Sequence, residues 1–123
     1  MTIKDSNVTI MVKDIDRSIS FYQSIGFTLK NRWSNHYAQI TAPGITIGLH
    51  PANGSSFSGS GNTSIGFTVD NFDEVQSLLN ALSIHIQKRE EEGGQFLHFV
   101  DPDGDHALFY KTEMVKFQIK PLC

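Results

Sequence analysis

Val8-Thr-Ile-Met-Val12 is followed by Asp14-Ile-Asp-Arg-Ser-Ile-Ser-Phe-Tyr-Gln-Ser-Ile25 and then Gly26, and the chain restarts the same order at Ser64. The first run is alternating and β-branched, which reads as a strand. In the second, Ile15, Ile19, Tyr22 and Ile25 share one helical face. Gly26 stands where a helix end wants a residue tolerant of positive φ. Three short β-like runs follow: Phe27–Lys30, His36–Thr41 and Ile45–His50, with Ala42-Pro-Gly44 as a tight turn between the last two. From Ser64, Ile65-Gly-Phe-Thr-Val69 is again a strand. Asn71 is placed to cap a helix whose stripe is Val75, Leu78, Leu79 and Leu82, with Glu74 as a partial capping box. The strand-like runs His85–Lys88, Gln95–Val100 and His106–Tyr110 complete the second unit. Asp101-Pro-Asp-Gly104 reads as the turn before the last strand, its acids explained by turn geometry.

Each half therefore reads β-α-β-β-β. The register is close: Val8 to Ile65 is 57 residues and Gly44 to Gly104 is 60. This is an α+β fold of two tandem modules, about 7–50 and 64–111, whose sheets curve around a cleft. Pro51–Thr63 is a Gly/Ser-rich connector. The tail 112–123 holds an alternating Val115-Lys-Phe-Gln-Ile119 that suits an edge strand. All of residues 1–123 are expected to form one domain.

Composition narrows the function classes. With 39% hydrophobic and 19% charged residues the chain is ordinary globular protein. A net charge of −3 argues against a general nucleic-acid binder, which needs a basic face. No apolar run approaches the ~20 residues that span a bilayer. The polar start Met1–Asn7 is no signal peptide, so the cytoplasm is the expected compartment. The single cysteine, Cys123, excludes an internal disulfide and is expected to be an exposed thiol. Ser55, Ser56, Ser58 and Ser60 lack the nucleophile-elbow pattern. Glu90-Glu-Glu92 reads as a solvated hairpin connection.

Two stretches resemble a known superfamily. Val12-Lys-Asp-Ile-Asp-Arg-Ser-Ile-Ser-Phe-Tyr-Gln-Ser-Ile-Gly-Phe27 is similar to the first strand–helix of the vicinal oxygen chelate proteins. Phe99-Val-Asp-Pro-Asp-Gly104 is similar to the turn before their final strand. With the duplication, the resemblance spans about Asn7 to Lys111. It implies the glyoxalase/bleomycin-resistance fold and, for many members, a homodimer. It does not specify a reaction, because isomerases, dioxygenases, transferases and pure drug-binding proteins share the fold.

The resemblance also implies where a metal would sit: early on the first strand and on the last strand of each half, held by His, Glu or Gln. Aligned by the Val12 and Val69 strand ends and by the Gly44 and Gly104 turns, those positions are Asn7, Gly48, Ser64 and Leu108. None is a His, Glu, Asp or Cys, so neither a metal nor another cofactor is expected. Strand alternation then assigns Asn7, Thr9, Met11, Thr46, Gly48, His50, Ser64, Gly66, Thr68, His106, Leu108 and Tyr110 to the cleft. The opposite parity, Val8, Ile10, Val12, Ile45, Ile47, Leu49, Ile65, Phe67, Val69, Ala107 and Phe109, is apolar, as packing under helices requires.

The expected ligand-binding set is Asn7, Thr9, Met11, Thr46, His50, Ser64, Thr68, His106, Leu108 and Tyr110. Trp33, Tyr37 and Phe57 are candidate aromatic walls. An apolar body with a few polar groups suits a small organic molecule. Three readings follow. One is a metal-independent binding protein similar to the bleomycin-resistance branch. Another is a glyoxalase-like lyase or isomerase, or a dioxygenase, with a displaced site on His50 and His106, joined by His36 or His98. In a metal-free form of that enzyme, the two histidines and Tyr110 would do acid–base work. A third is a duplicated scaffold whose cleft takes no ligand.

Overall fold

The computed structural model describes residues 1–52, 63–91 and 94–111. In chain order it has β1 (Val8–Val12), α1 (Ile15–Ser24), β2 (Thr28–Trp33), β3 (Tyr37–Ala42), β4 (Ile45–Pro51), β5 (Ser64–Val69), α2 (Phe72–Ala81), β6 (Gln87–Glu91), β7 (Gly94–Val100) and β8 (His106–Lys111). These form two compact units. The first is Met1–Gly61 together with the turn Asp101–Gly104; the second is Asn62–Val100 with Asp105–Cys123. No helix among the described residues is long and apolar enough to cross a membrane.

In the first unit the sheet order is β1-β4-β3-β2. β1 runs parallel to β4, with Thr9 opposite Gly48 and Met11 opposite His50. β4 is antiparallel to β3, which is antiparallel to β2. The β3–β4 turn is as short as the sequence suggested: Ala42 pairs with Ile45, and Gly44 takes φ +87°, which a glycine adopts without steric cost. One face of the sheet is dry. Ile10, Val12, Ala38, Ile40, Ile47 and Leu49 are each at most 1% exposed and pack with Ile15, Ile19, Tyr22 and Phe27. Two members of the apolar parity set reach solvent in this unit: Val8, at 43% exposure, and Ile45, which is partly exposed.

The turn Asp101–Gly104 does more in this unit than reverse the chain. The expected turn bond is present, from the Gly104 amide to the Asp101 carbonyl at 3.0 Å. Both carboxylates, however, also serve α1. Asp103 accepts from the Lys13 amide at 2.9 Å and from the Ser18 hydroxyl at 3.3 Å. Asp101 accepts from the Tyr22 hydroxyl at 2.6 Å, where both residues are buried. Turn geometry alone therefore does not account for these acids; they also satisfy donors at the start and on the buried face of a helix, which would otherwise be costly.

The second unit repeats the pattern, with sheet order β5-β8-β7-β6. β5 is parallel to β8, pairing Ser64 with His106, Gly66 with Leu108 and Thr68 with Tyr110. Leu97, Phe99, Ala107 and Phe109 are buried on one face, and Phe72 and Leu79 of α2 are buried with them. Phe99 stacks on Phe109, centroids 5.4 Å apart at 17°.

The two helices begin and end alike. Asp14 caps α1 by accepting from the Arg17 amide, and Asn71 caps α2 by accepting from the Glu74 amide. Each exit is a Schellman turn. In α1 the Phe27 amide donates to the Tyr22 carbonyl at 2.9 Å and the Gly26 amide to Gln23 at 3.2 Å. In α2 the Ile84 amide donates to Leu79 and the Ser83 amide to Asn80, both at 3.0 Å. The residue forced to positive φ is Gly26 in one and Ser83 in the other, at +113° and +59°.

Some boundaries differ from expectation. β2 runs on to Trp33 through a bulge between Leu29 and Asn31, instead of stopping at Lys30. β6 begins at Gln87, not His85, because the Ser83 turn and Ile84 still belong to the helix exit. Glu90 and Glu91 lie in β6 and not in a hairpin connection. Glu90 is exposed there, and an edge strand with exposed charge resists pairing with other chains. Phe57, the linker serines, Val115–Ile119 and Cys123 lie outside the described residues.

Candidate functional site

The helix-free face of the first sheet is polar and uncharged along its strands. β1 contributes Thr9 and Met11, both exposed, and Asn7 precedes it. β4 contributes Thr46, Gly48 and His50. β3, paired between β4 and β2, adds Tyr37, Gln39 and Thr41 on the same side, and β2 adds Asn31 and Trp33. Thr46 is only 9% exposed and exchanges a hydrogen bond with Thr41 at 3.3 Å. His50 Nδ1 lies 2.8 Å from the Pro51 carbonyl. A carbonyl only accepts, so the ring donates from Nδ1 and keeps its Nε2 lone pair free for another donor. A cavity of about 180 Å³ opens beside Asn7 and Thr46, lined also by Ser6, Val8, Gly44 and Ile45.

Gly48 sits beneath the Tyr37 ring. A Cβ added there would stand 2.7 Å from the Thr9 hydroxyl and 2.8 Å from Tyr37 Cζ. Close approach of the aromatic ring is thus possible only because position 48 has no side chain. Trp33 lies alongside, its ring centroid 5.5 Å from that of Tyr37 at 31°.

The second sheet has a corresponding face. Ser64, Gly66 and Thr68 of β5 are exposed beside His106, Leu108 and Tyr110 of β8. Here too a tyrosine lies over a glycine: a Cβ on Gly66 would meet Tyr110 Cε1 at 2.9 Å. β7 places Phe96 and His98 next to Tyr110 and Leu108, and β6 places Arg89 and Gln87 beyond them. Phe96 meets Tyr110 edge-on at 6.2 Å.

The alternation expected from sequence therefore holds in each unit, with the apolar parity toward the helix and the mixed parity on the other side. The ten expected ligand-binding residues divide between the units. Asn7, Thr9, Met11, Thr46 and His50 share the first face; Ser64, Thr68, His106, Leu108 and Tyr110 share the second. Of the aromatic candidates, Trp33 and Tyr37 belong to the first face. His98, a candidate for the displaced site, lies on the second face, whereas Gln39, Asn31, Phe96 and Arg89 are lining residues that the sequence reading does not single out. Their faces depend on the β2–β3 and β6–β7 registers, and only the hydrophobic pattern of the neighbouring strand gives a hint of these. Ala38 and Ile40 are buried, which leaves Gln39 for the other side.

The four positions to which the resemblance assigns metal ligands hold Asn7, Gly48, Ser64 and Leu108. Leu108 is half-buried hydrocarbon. The place of a side chain at 48 is filled by Tyr37 and Thr9. Among the described residues no three His, Cys, Asp or Glu side chains group as a metal site. His36 and His85 are exposed, in the β2–β3 turn and ahead of β6 respectively. A divalent metal needs several converging nitrogen or oxygen donors, and the residues at these positions do not supply them.

The family model of the Glyoxalase/Bleomycin resistance protein/Dioxygenase superfamily matches residues 6–106. The chain belongs to this superfamily. The metallothiol transferase FosB of Lysinibacillus sphaericus (strain C3-41) is 28% identical over 121 residues, covering 89% of this chain and 84% of that protein. Solved structures of the superfamily fold superimpose over most of the chain. The lactoylglutathione lyase of Agrobacterium tumefaciens gives a TM-score of 0.72 at 15% identity, covering 90% of this chain and 95% of that one. The bleomycin resistance determinant encoded on transposon Tn5 gives 0.67 at 18%, covering 89% and 98%. The fosfomycin resistance protein FosX of Listeria monocytogenes gives 0.72 at 20%, covering 90% and 94%. At these identities the structures share a fold with the chain, and the superfamily's members differ in chemistry.

Proposed function

We propose that this protein binds a small organic molecule without a divalent metal, in the manner of the superfamily's bleomycin-resistance branch. The observation that carries the reading is the replacement of the four metal-ligand positions by Asn7, Gly48, Ser64 and Leu108, with Tyr37 and Thr9 closing over Gly48. FosB, the relative named a metallothiol transferase, points to metal chemistry, but a polar, aromatic face without metal donors suits non-covalent ligand capture better. By the same reading the protein works as a cytoplasmic homodimer that binds neither nucleic acid nor membrane.

The test is metal content and ligand binding on one preparation. The protein is equilibrated with zinc, nickel, iron and manganese, desalted, and analysed for each element. Less than about a tenth of an equivalent is the expected stoichiometry for a site lacking ligands, together with ligands in a thermal-shift screen that stabilise it in the presence of EDTA. Near one equivalent of metal, lost in His50→Ala or His106→Ala, overturns the reading in favour of an enzyme with a displaced site.

A further inference from the structure

The first sheet's open face carries a chain of long hydrogen bonds with one direction. Asn31 Nδ2 donates to Gln39 Oε1 at 3.4 Å, and Gln39 Nε2 donates to the Tyr37 hydroxyl oxygen at 3.5 Å. Each amide gives one of its two N–H donors to the next residue, and the chain terminates on the tyrosine oxygen. The Tyr37 oxygen is engaged as an acceptor, and its own proton has no acceptor among the described residues. The hydroxyl is held over Gly48, at the place where the superfamily's metal ligand would project from β4. A phenol O–H occupies that place, and its proton can be donated to a ligand oxygen.

Charge selects the ligand further. Every charged side chain of β2 is turned to another charged group. Arg32 pairs with Asp16 of α1 at 2.6 Å, and Lys30 with Asp5 at 3.7 Å. The positions of β1, β3 and β4 on this face hold no Lys, Arg, Asp or Glu. An ion brought onto a half-buried surface without a countercharge loses solvation and gains no partner. Shape comes from the Trp33–Tyr37 pair, whose tilted rings and half-exposed indole offer an aromatic step for a flat molecule.

We propose that Tyr37 is the hydrogen-bond donor of this face, and that the ligand it receives is an uncharged, flat molecule presenting a carbonyl oxygen. The proposal rests on the metal-free binding reading and narrows it to a ligand class. It assigns Tyr37 the task of holding that oxygen, Gln39 and Asn31 the positioning of Tyr37, and Trp33 the stacking surface.

Trp33 is the only tryptophan in the chain, so its fluorescence reports on this face alone. Full-length protein in EDTA is titrated with four probes: 1-tetralone, its carbonyl-free analogue tetralin, 1-naphthoate and 1-naphthylmethylammonium. The expected result is saturable quenching by 1-tetralone, tighter than by either ion. Tyr37→Phe should weaken 1-tetralone by about three- to tenfold, one hydrogen bond's worth, and leave tetralin unchanged. Circular dichroism of Tyr37→Phe checks that the variant is folded. Gln39→Leu should weaken 1-tetralone as well, by freeing the hydroxyl to turn.

An unchanged 1-tetralone affinity in Tyr37→Phe, or an equal loss for both neutral probes, overturns the donor role. Tighter binding of either ion overturns the ligand class and leaves metal-free binding standing. Absence of quenching by all four probes also overturns the class. The ligand screen in EDTA then decides separately whether metal-free binding survives.

Discussion

Position 48 shows how one residue sets the chemistry of a face. Glycine there lets the hydroxyl end of Tyr37 come close to β4 and lets Thr9 approach from β1. A methyl group would sit inside the contact distance of both. Thr9 is exposed and can turn, but Tyr37 is wedged between Gly48 and Trp33, so the ring must leave. Gly48→Ala is expected to destabilise the protein by about 1–3 kcal/mol, the usual cost of overpacking, read as a lower urea midpoint. In the Tyr37→Ala background the same substitution should cost far less, because the obstacle is gone; a double-mutant cycle measures that coupling. An additive cycle would mean that Tyr37 does not lie over Gly48. The sequence made half of this visible. Gly48 follows from the β4 alternation and Tyr37 from its aromatic character; the Pro43-Gly44 turn sets β3 beside β4, but the side-chain orientation that brings Tyr37 over Gly48 is not written in a local pattern.

At the scale of elements the duplicated pattern is legible wherever local chemistry is strong. Asp14 and Asn71 announce both helix starts, and Pro43-Gly44 announces the β3–β4 turn. The reading weakens where an edge strand carries charge: Lys88-Arg-Glu-Glu91 has no apolar alternation, and only its pairing with β7 makes it a strand. The α2 exit shows a second gap between pattern and geometry. Its Schellman turn needs the same left-handed residue that Gly26 provides in α1, but the sequence offers Ser83 at φ +59°. A side chain there costs free energy that glycine does not incur. Ser83→Gly should therefore stabilise the protein, by about 0.5–1 kcal/mol after the unfolded chain's extra freedom is offset, while Gly26→Ser should destabilise it. Chemical denaturation of the two single variants checks the pair; opposite signs are the expected outcome, and equal signs would contradict the shared exit geometry.

For the whole molecule, superfamily membership and the residues at the expected metal positions point in different directions, and stability can separate the two readings. Both β-α-β-β-β units keep their own cores: one beneath α1 with Tyr22 and Phe27, one beneath α2 with Phe72 and Phe109. Each sheet's other face lies outside those cores, so exposed positions such as Asn7 and Ser64 can change at little cost to folding, whereas Gly48 is held by its contact with Tyr37. A native state that bound a divalent ion would gain stability by mass action, about 2.7 kcal/mol at a hundredfold excess over the dissociation constant. In a domain of this size that is a rise in melting temperature of roughly 8–15 °C. A protein whose Asn7, Gly48, Ser64 and Leu108 hold no ion should melt at one temperature in EDTA and in millimolar zinc, nickel or manganese. His50→Ala should leave that indifference to metal intact, since His50 offers one ring nitrogen at most and β1, β3 and β4 hold no carboxylate to join it. A metal-dependent rise of several degrees that His50→Ala removes would instead place an ion on the first sheet, and the chain's chemistry would have to be rebuilt around it.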